Sequence, residues 1–304
     1  MTSPSRFEVR LDGPTDFGAS LEIFRRSGDD LLDRWDGDWL LRTIRIEDHS
    51  IAYACRPVGT PEAPAFEVIV EDAAYADAIA DTIKCSFPPL SPEFHALCAT
   101  DPAIGRLATL HHGFRPILHP NLIVALVRCI SAQQVNLRWA ATVRQRLAER
   151  FGHRHEIDGH VVYSLDADRL AALEVADIRA LQFTTRKAEY VINAARATTH
   201  EGLSLDRLRA MNDDEVIATI TAVRGLGLWS AEWILARTLG RPRVSSSDLG
   251  VRKAVGKVYF QGRMPSPDEV RQATAHWGSA AALAQELLLH VQHLKTLPNP
   301  QPLP

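Results

Sequence analysis

The sequence lacks closely spaced cysteines. Its four cysteines, Cys55, Cys85, Cys98 and Cys129, are spread over 75 positions, and no two of them are neighbours in sequence. Structural metals and iron–sulfur clusters need thiolates that converge, usually from pairs two to four residues apart. We therefore expect no metal site and no cluster, and we interpret the cysteines as small buried hydrophobic residues.

Long apolar runs are also missing. The longest purely aliphatic run, residues 122–127, is too short to cross a bilayer, and the first residues lack the apolar stretch of a signal peptide. The sequence therefore favours a cytoplasmic protein without a membrane partner.

The chain has no overall positive charge, because its net charge is −3. The charges are unevenly distributed, however: residues 224–263 contain eight Lys or Arg and two acids, whereas residues 1–90 contain 17 acids and nine bases. Binding to nucleic acid depends on local surface charge rather than on the total. Basic clusters are also common on ordinary solvated surfaces, so this one permits a nucleic-acid partner without identifying one.

Strand patterns are nearly absent after residue 90. Before that point, apolar and polar residues alternate in four segments, 7–11, 41–46, 51–55 and 65–70. Helical stretches interrupt them near 17–26 and 73–84, and a proline-rich segment at 87–92 ends the region. We expect a mainly α protein with an α+β N-terminal domain, 1–90, that contains a small antiparallel sheet.

The rest of the chain shows helical periodicity. The predicted helices are 102–111, 120–131, 135–150, 167–174, 184–198, 204–210, 213–222, 229–239, 248–258, 267–275 and 280–294. This pattern predicts an all-helical body over 91–295. The proline-rich residues 296–304 are predicted to be a disordered tail.

Two glycines stand one residue apart between two of these helices. Gly225 and Gly227 permit a tight hairpin with positive φ, and Leu226 between them can fill the gap between the flanking helices. The amides of such a hairpin and of the next helix start are unpaired, which suits a phosphate oxygen. An ordinary helix–turn–helix connection would use the same residues.

The segment after the hairpin adds further features. Trp229 and Trp233 are four residues apart and share a helix face. Asp248 stands where a later helix should begin, which by spacing alone indicates an N-cap.

Together, these features resemble the helix–hairpin–helix, Gly/Pro-rich loop and aspartate of the HhH-GPD superfamily of DNA glycosylases. Within it, they resemble most the bacterial enzymes of the 3-methyladenine DNA glycosylase II type. The resemblance runs without gaps over 217–255, and segments 119–135 and 181–190 are similar to the family's DNA-probing segment and to the segment before its hairpin. It implies a helix–hairpin–helix unit at about 213–239, preceded by a small sheet domain.

The resemblance also implies roles for particular residues. Asp248 would be the catalytic carboxylate, since cleavage of a glycosidic bond builds positive charge on the sugar. Trp229 and Trp233 would form the walls of a pocket that attracts a cationic alkylated base. The implied DNA-backbone contacts are Arg224, Gly225, Leu226 and Gly227, and the implied DNA-probing loop contains Gln133 and Gln134.

Trp229 bears on the reaction type. Related enzymes that also nick the strand carry a nucleophilic lysine at this place, which forms a Schiff base. A tryptophan cannot do so, and we therefore expect a monofunctional enzyme that leaves an abasic site. The last long helix carries Glu286 to His290 where close relatives often place an aromatic residue, so the range of substrates stays open.

The resemblance implies no cofactor, although a monovalent cation held by backbone carbonyls near 221–227 commonly accompanies the hairpin in the family. The expected partner is double-stranded DNA with damaged bases, and the protein is expected to be a monomer in a bacterial cytoplasm, associated with the nucleoid. Two alternatives remain: a glycosylase for oxidised or deaminated purines, and a non-catalytic helix–hairpin–helix DNA-binding protein. The paired tryptophans and the aspartate-led helix favour catalysis over simple binding.

Overall fold

The computed structural model describes residues 4–47 and 49–294. The predicted tail, 296–304, lies outside the described residues. The strands are β1 (Ser5–Arg10), β2 (Arg34–Trp35), β3 (Leu40–Ile46), β4 (His49–Thr60), β5 (Ala63–Val70), β6 (His153–Ile157) and β7 (His160–Ser164). The helices are α1 (Phe17–Leu21), α2 (Ala76–Ser86), α3 (Pro92–Thr100), α4 (Pro102–Leu110), α5 (Leu122–Ala132), α6 (Leu137–Phe151), α7 (Ala167–Ala171), α8 (Val175–Arg179), α9 (Thr185–His200), α10 (Leu205–Ala210), α11 (Asp213–Ala222), α12 (Leu228–Arg237), α13 (Leu249–Tyr259), α14 (Pro267–Thr274) and α15 (Ala281–His293).

The first five strands form an antiparallel sheet in the order β1-β5-β4-β3-β2. All four predicted strand segments overlap its strands, with residue 11 beyond the end of β1. Because side chains alternate between faces along a strand, one face presents Tyr53, Phe66 and Val68, which pack with Leu21 of α1 and Ile79 of α2. The mainly helical fold with an N-terminal antiparallel sheet is thus confirmed.

The opposite face of this sheet is covered by a second, unpredicted sheet. Strands β6 and β7 form a hairpin inside the segment that was predicted to be all helical. Its Ile157 and Val162 pack on Leu41, Ala54 and Ile69 of the first sheet. The prediction of an all-helical body is wrong at this point, because both strands have only five residues and β6, with two His, an Arg and a Glu, shows little alternation to detect.

The helical body packs around α5, which has nine buried residues out of eleven. All eleven predicted helices are present, with ends shifted by a few residues, and two further short helices, α3 and α8, were not predicted. No helix in the described ranges is both long and apolar enough to cross a bilayer.

A buried ion cluster joins the N-terminal unit to the helical body. Asp30 binds Arg128 of α5 at 2.6 Å and Arg144 of α6 at 2.7 Å. Asp33 binds Arg128 at 2.9 Å and Arg42 of β3 at 2.7 Å. Burial opposes ionisation of Asp33, but the two guanidinium groups outweigh it and hold the pKa of this carboxyl well below its usual range.

The cysteines follow the sequence prediction only in part. Cys55 and Cys129 are buried, and burial raises the pKa of the Cys129 thiol to about 12. Cys98 is half-buried, however, and Cys85 is exposed, so the interpretation as buried hydrophobic residues is wrong for Cys85.

Candidate active site and DNA interface

The two glycines of the hairpin between α11 and α12 have different roles. Gly225 has a φ of +103°, and a Cβ there would lie 2.1 Å from Cγ of Tyr190. Gly227 has a φ of −102°, so the expectation of positive φ is wrong for this residue. A Cβ on Gly227 would meet open space, since it caps the exposed start of α12. The first glycine is therefore required by the fold, whereas the second leaves room for a group outside the protein.

The rest of the hairpin is fixed from two sides. Leu226 is 4% exposed and packs in the main helical core, as its position between the helices suggested. The side-chain amide of Asn193 donates to the Arg224 carbonyl at 3.5 Å, and the Arg224 guanidinium reaches Glu189 at 3.3 Å. Both partners lie on α9, so that helix supports the turn.

Asp248 has two hydrogen bonds that fix its carboxylate. It caps α13, since Oδ1 accepts from the Val251 amide at 3.0 Å. Oδ2 accepts from the indole Nε1 of Trp229 at 2.9 Å. Asp248 as a residue is half-buried, so part of it is in contact with solvent. Both the capping role and an outward-facing carboxylate are compatible with this geometry.

The loop before Asp248 is anchored by the C-terminal helices. Gln285 of α15 accepts from the Ser245 amide at 2.7 Å, and Arg271 of α14 donates to Ser246 Oγ at 2.6 Å. These contacts explain why a loop with three consecutive serines holds one conformation. The position of Asp248 therefore depends on residues far along the chain.

Trp233, which was predicted to be a wall of the base pocket, is buried, so little of its ring is free to contact a base. It is 8% exposed, and the His119 ring stacks on it with centroids 5.3 Å apart. The guanidinium of Arg237 lies 5.5 Å from its ring centroid and is paired with Glu286 of α15 at 2.8 Å. Burial opposes the charge on Arg237, but Glu286 and then Asp248 raise the pKa of the guanidinium. Arg237 therefore lies within the field of the candidate catalytic carboxylate.

A small cavity lies beside this group. Its volume is about 20 Å³, enough for a water-sized group and too small for a purine. Its walls include His119 and Arg237, the two residues that contact Trp233, together with Glu286 and His290. No role was predicted for His119 or Arg237. For Glu286, a carboxylate within the leucine-rich run of α15 was the signal that could have indicated one.

The basic segment 224–263 is less positive on the surface than its sequence suggested. Four of its arginines pair with acids from outside the segment, through the contacts Arg224–Glu189, Arg237–Glu286, Arg241–Asp213 and Arg263–Glu269. Lys253 and Lys257 are exposed. The charge available to a nucleic acid is therefore much smaller than the sequence excess of six.

The predicted probing loop connects α5 to α6. Gln134 is exposed and has a φ of +53°, a left-handed conformation that is uncommon for a residue with a side chain. Gln133 is half-buried, and its Nε2 donates to the Gly225 carbonyl at 3.0 Å. The loop therefore touches the hairpin.

Backbone carbonyls of the hairpin are suitable ligands for a monovalent cation. Those of Arg224 and Gly225 already accept side-chain amides. Among the loop and turn contacts of the described residues, no backbone hydrogen bond reaches the Leu226 carbonyl, which leaves it free for such an ion.

The family model and the curated relatives that match this chain all describe DNA repair proteins. The family described as HhH-GPD superfamily base excision DNA repair protein matches residues 127–279. The Bacillus subtilis protein YfjP is 31% identical over 168 residues, which is 55% of this chain and 58% of that protein. A DNA-3-methyladenine glycosylase of Bacillus subtilis is 28% identical over 186 residues, covering 60% of this chain and 61% of the relative.

Solved structures show that the similarity in fold covers nearly the whole chain. The 3-methyladenine DNA-glycosylase from Archaeoglobus fulgidus superposes with a TM-score of 0.82 at 21% identity, covering 94% of this chain and 96% of that one. The curated relatives are matched over only about three fifths of their length.

Proposed function

Because the chain belongs to the HhH-GPD superfamily of base excision DNA repair proteins, we propose that it is a monofunctional DNA glycosylase that removes alkylated purines, such as 3-methyladenine and 7-methylguanine, from duplex DNA. One observation carries the proposal: the Asp248 carboxylate is held by the Val251 amide and the Trp229 indole beside a glycine hairpin. The named relatives that act on 3-methyladenine support the substrate class.

The hairpin is proposed to grip the DNA backbone while the base leaves the stack. The space at Gly227 and the unpaired amides at the start of α12 suit a phosphate oxygen. A cation on the hairpin carbonyls would add positive charge beside that phosphate. Arg224, which is exposed, would contribute in the same place.

Asp248 is proposed to stabilise the charge that develops on the sugar. As the C1′–N bond breaks, its electron pair leaves with the base, and the sugar becomes positively charged. A cationic alkylpurine departs neutral, so it needs no added proton. Water then bonds to C1′, and Asp248 orients this water and accepts its proton.

Base recognition is proposed at the Trp229 face next to Asp248, with Trp233 one turn further along α12. An aromatic face attracts a cationic base by about 0.5–2 kcal/mol. The 20 Å³ cavity beside His119 and Arg237 is too small for a purine, so a base that entered there would have to displace these side chains.

The absence of strand cleavage is part of the proposal. The residue after the hairpin that would have to be a lysine is Trp229, whose indole nitrogen donates to Asp248 and cannot form a Schiff base. Borohydride treatment during turnover should trap no covalent DNA complex. A trapped complex would show that the enzyme is a lyase.

The deciding experiment is excision from duplexes that contain 7-methylguanine, 3-methyladenine, hypoxanthine, ethenoadenine, uracil or 8-oxoguanine. We expect release of the first two, and Asp248→Asn should lose ~3 kcal/mol or more of transition-state stabilisation while still binding DNA. Equal rates for the variant and the parent would remove Asp248 from the chemistry. Release of 8-oxoguanine or hypoxanthine alone would favour the oxidised or deaminated class, and no release at all would favour a DNA-binding role.

Where the protein acts is a further part of the proposal. We expect a monomer in a bacterial cytoplasm, associated with the nucleoid, where duplex DNA is the partner.

A further inference from the structure

Two neighbouring glutamines in the loop between α5 and α6 are used differently. Gln134 is exposed and projects from a left-handed backbone conformation. Gln133 is half-buried and donates through Nε2 to the carbonyl of Gly225, 92 positions away. One N–H of the Gln133 amide is therefore bonded to the protein itself.

Helix α9 supports both ends of this contact. Lys187 Nζ donates to the Ser131 carbonyl at 2.8 Å, where α5 ends and the loop begins. Tyr190, one turn later, lies against Gly225, and Asn193 bonds the Arg224 carbonyl. Loop and hairpin thus rest on one helix face, and the Gln133 hydrogen bond closes the gap between them.

We propose that Gln133 is a positioning residue that ties the probing loop to the phosphate-binding hairpin. The inference rests on the proposed function, which gives both elements their roles on DNA. The loop then enters the duplex at a fixed distance from the phosphate that the hairpin holds, and Gln134 is the side chain that fills the gap left by the base.

This arrangement predicts which step Gln133 serves. A base must unstack before it can be cleaved, and the free energy of unstacking is a few kcal/mol. A loop that is already held in its inserted position loses less conformational freedom when it replaces the base. Gln133 should therefore act on base extrusion and not on the affinity for undamaged DNA or on bond cleavage.

The test compares Gln133→Met with Gln134→Met. Both substitutions keep the length of the side chain and remove the amide donor, but only the first breaks the contact with Gly225. Single-turnover excision is measured on a paired lesion and on the same lesion in a single-nucleotide bulge, which needs less unstacking. Gln133→Met should slow excision of the paired lesion about fivefold, the effect of one hydrogen bond, and should leave the bulged lesion and the Kd for undamaged duplex within about twofold. Equal losses on both substrates would overturn the proposal.

Hydrogen–deuterium exchange of the free protein separates this inference from the enzymatic one. In Gln133→Met, amides of both 133–137 and 224–227 should exchange faster than in the parent, whereas Gln134→Met should leave 224–227 unchanged. If the parent releases no base from any lesion, the proposed function fails, and the exchange experiment still decides whether Gln133 joins loop and hairpin. Unchanged exchange at 224–227 in Gln133→Met would refute it.

Discussion

The indole N–H of Trp229 donates to the carboxylate of Asp248 at 2.9 Å, although the residues are 19 positions apart. One end of α12 is thereby fixed to the start of α13. The side chain that stands in place of a lyase nucleophile also orients the candidate catalytic group. A single residue therefore holds the carboxylate and offers no amine that could form a Schiff base.

Trp229→Phe tests this relationship. Phenylalanine keeps an aromatic face but has no N–H, so Asp248 loses one of its two donors. A hydrogen bond to a charged group contributes about 1.5–3 kcal/mol, and the single-turnover rate should fall roughly tenfold or more while DNA affinity stays unchanged. A lower affinity with an unchanged rate would assign Trp229 to DNA binding alone.

The two hairpin glycines form a matched pair of variants. Gly225→Ala places a methyl group 2.1 Å from the Tyr190 ring at a φ of +103°, so we expect a lower Tm. Gly227→Ala meets open space, so Tm should stay within about 1 °C, since a change without contacts alters stability little. Affinity for undamaged duplex should nevertheless fall, because the methyl group occupies the place proposed for phosphate. Normal affinity in Gly227→Ala would contradict the hairpin role.

The buried ion cluster should be costly to break. Asp33→Asn leaves Arg42 and Arg128 without their shared carboxylate, and removing one partner of a buried pair costs about 3–5 kcal/mol. The measurement is urea unfolding at pH 7. The control is Asp38→Asn, whose pair with Arg56 is exposed and should cost about 1 kcal/mol or less. If the two variants lost similar free energies of unfolding, burial of the cluster would not determine how much it stabilises the fold.

His290 should make the protein sensitive to mild acid. The residue is 4% exposed and stacks on Phe114, and burial lowers its pKa to about 4. Between pH 6.5 and 4, the unfolded chain therefore binds a proton that the folded state does not. The free energy of unfolding should fall as the pH drops through this range, by up to about 1.4 kcal/mol per pH unit for this residue.

His290→Phe keeps the ring and removes the titration, so unfolding measured from pH 4 to 8 should show a shallower slope. His200→Asn, at an exposed position, should follow the parent. A His290→Phe slope parallel to that of the parent would show that this residue is not the group responsible.

Local pattern was sufficient to predict much of the fold and part of the candidate site. The eleven helices and four strand segments follow from periodicity, because a helix or strand face that is buried repeats at its own spacing. The N-cap at Asp248 follows from a side chain that can accept a helix-start amide. These features depend on residues within a few positions of each other.

Contacts between distant residues could not be predicted in this way. The acids that pair with Arg237 and Arg241 come from α15 and α11. Trp229 was predicted to be a wall of the base pocket, and nothing in the sequence indicated that its indole N–H bonds to Asp248. Burial of Trp233 under His119 is likewise a tertiary effect. A sequence gives the charges and rings, but only packing determines which of them face each other.

The hairpin of β6 and β7 has a consequence for how the chain can be divided. Its Ile157 and Val162 cover one face of a sheet whose strands lie more than eighty positions earlier in the chain. A fragment cut at residue 90 would leave Leu41, Ala54 and Ile69 facing water, and such a fragment should aggregate rather than stand alone. Synthesis must therefore proceed well beyond the first sheet before this face of the sheet is covered.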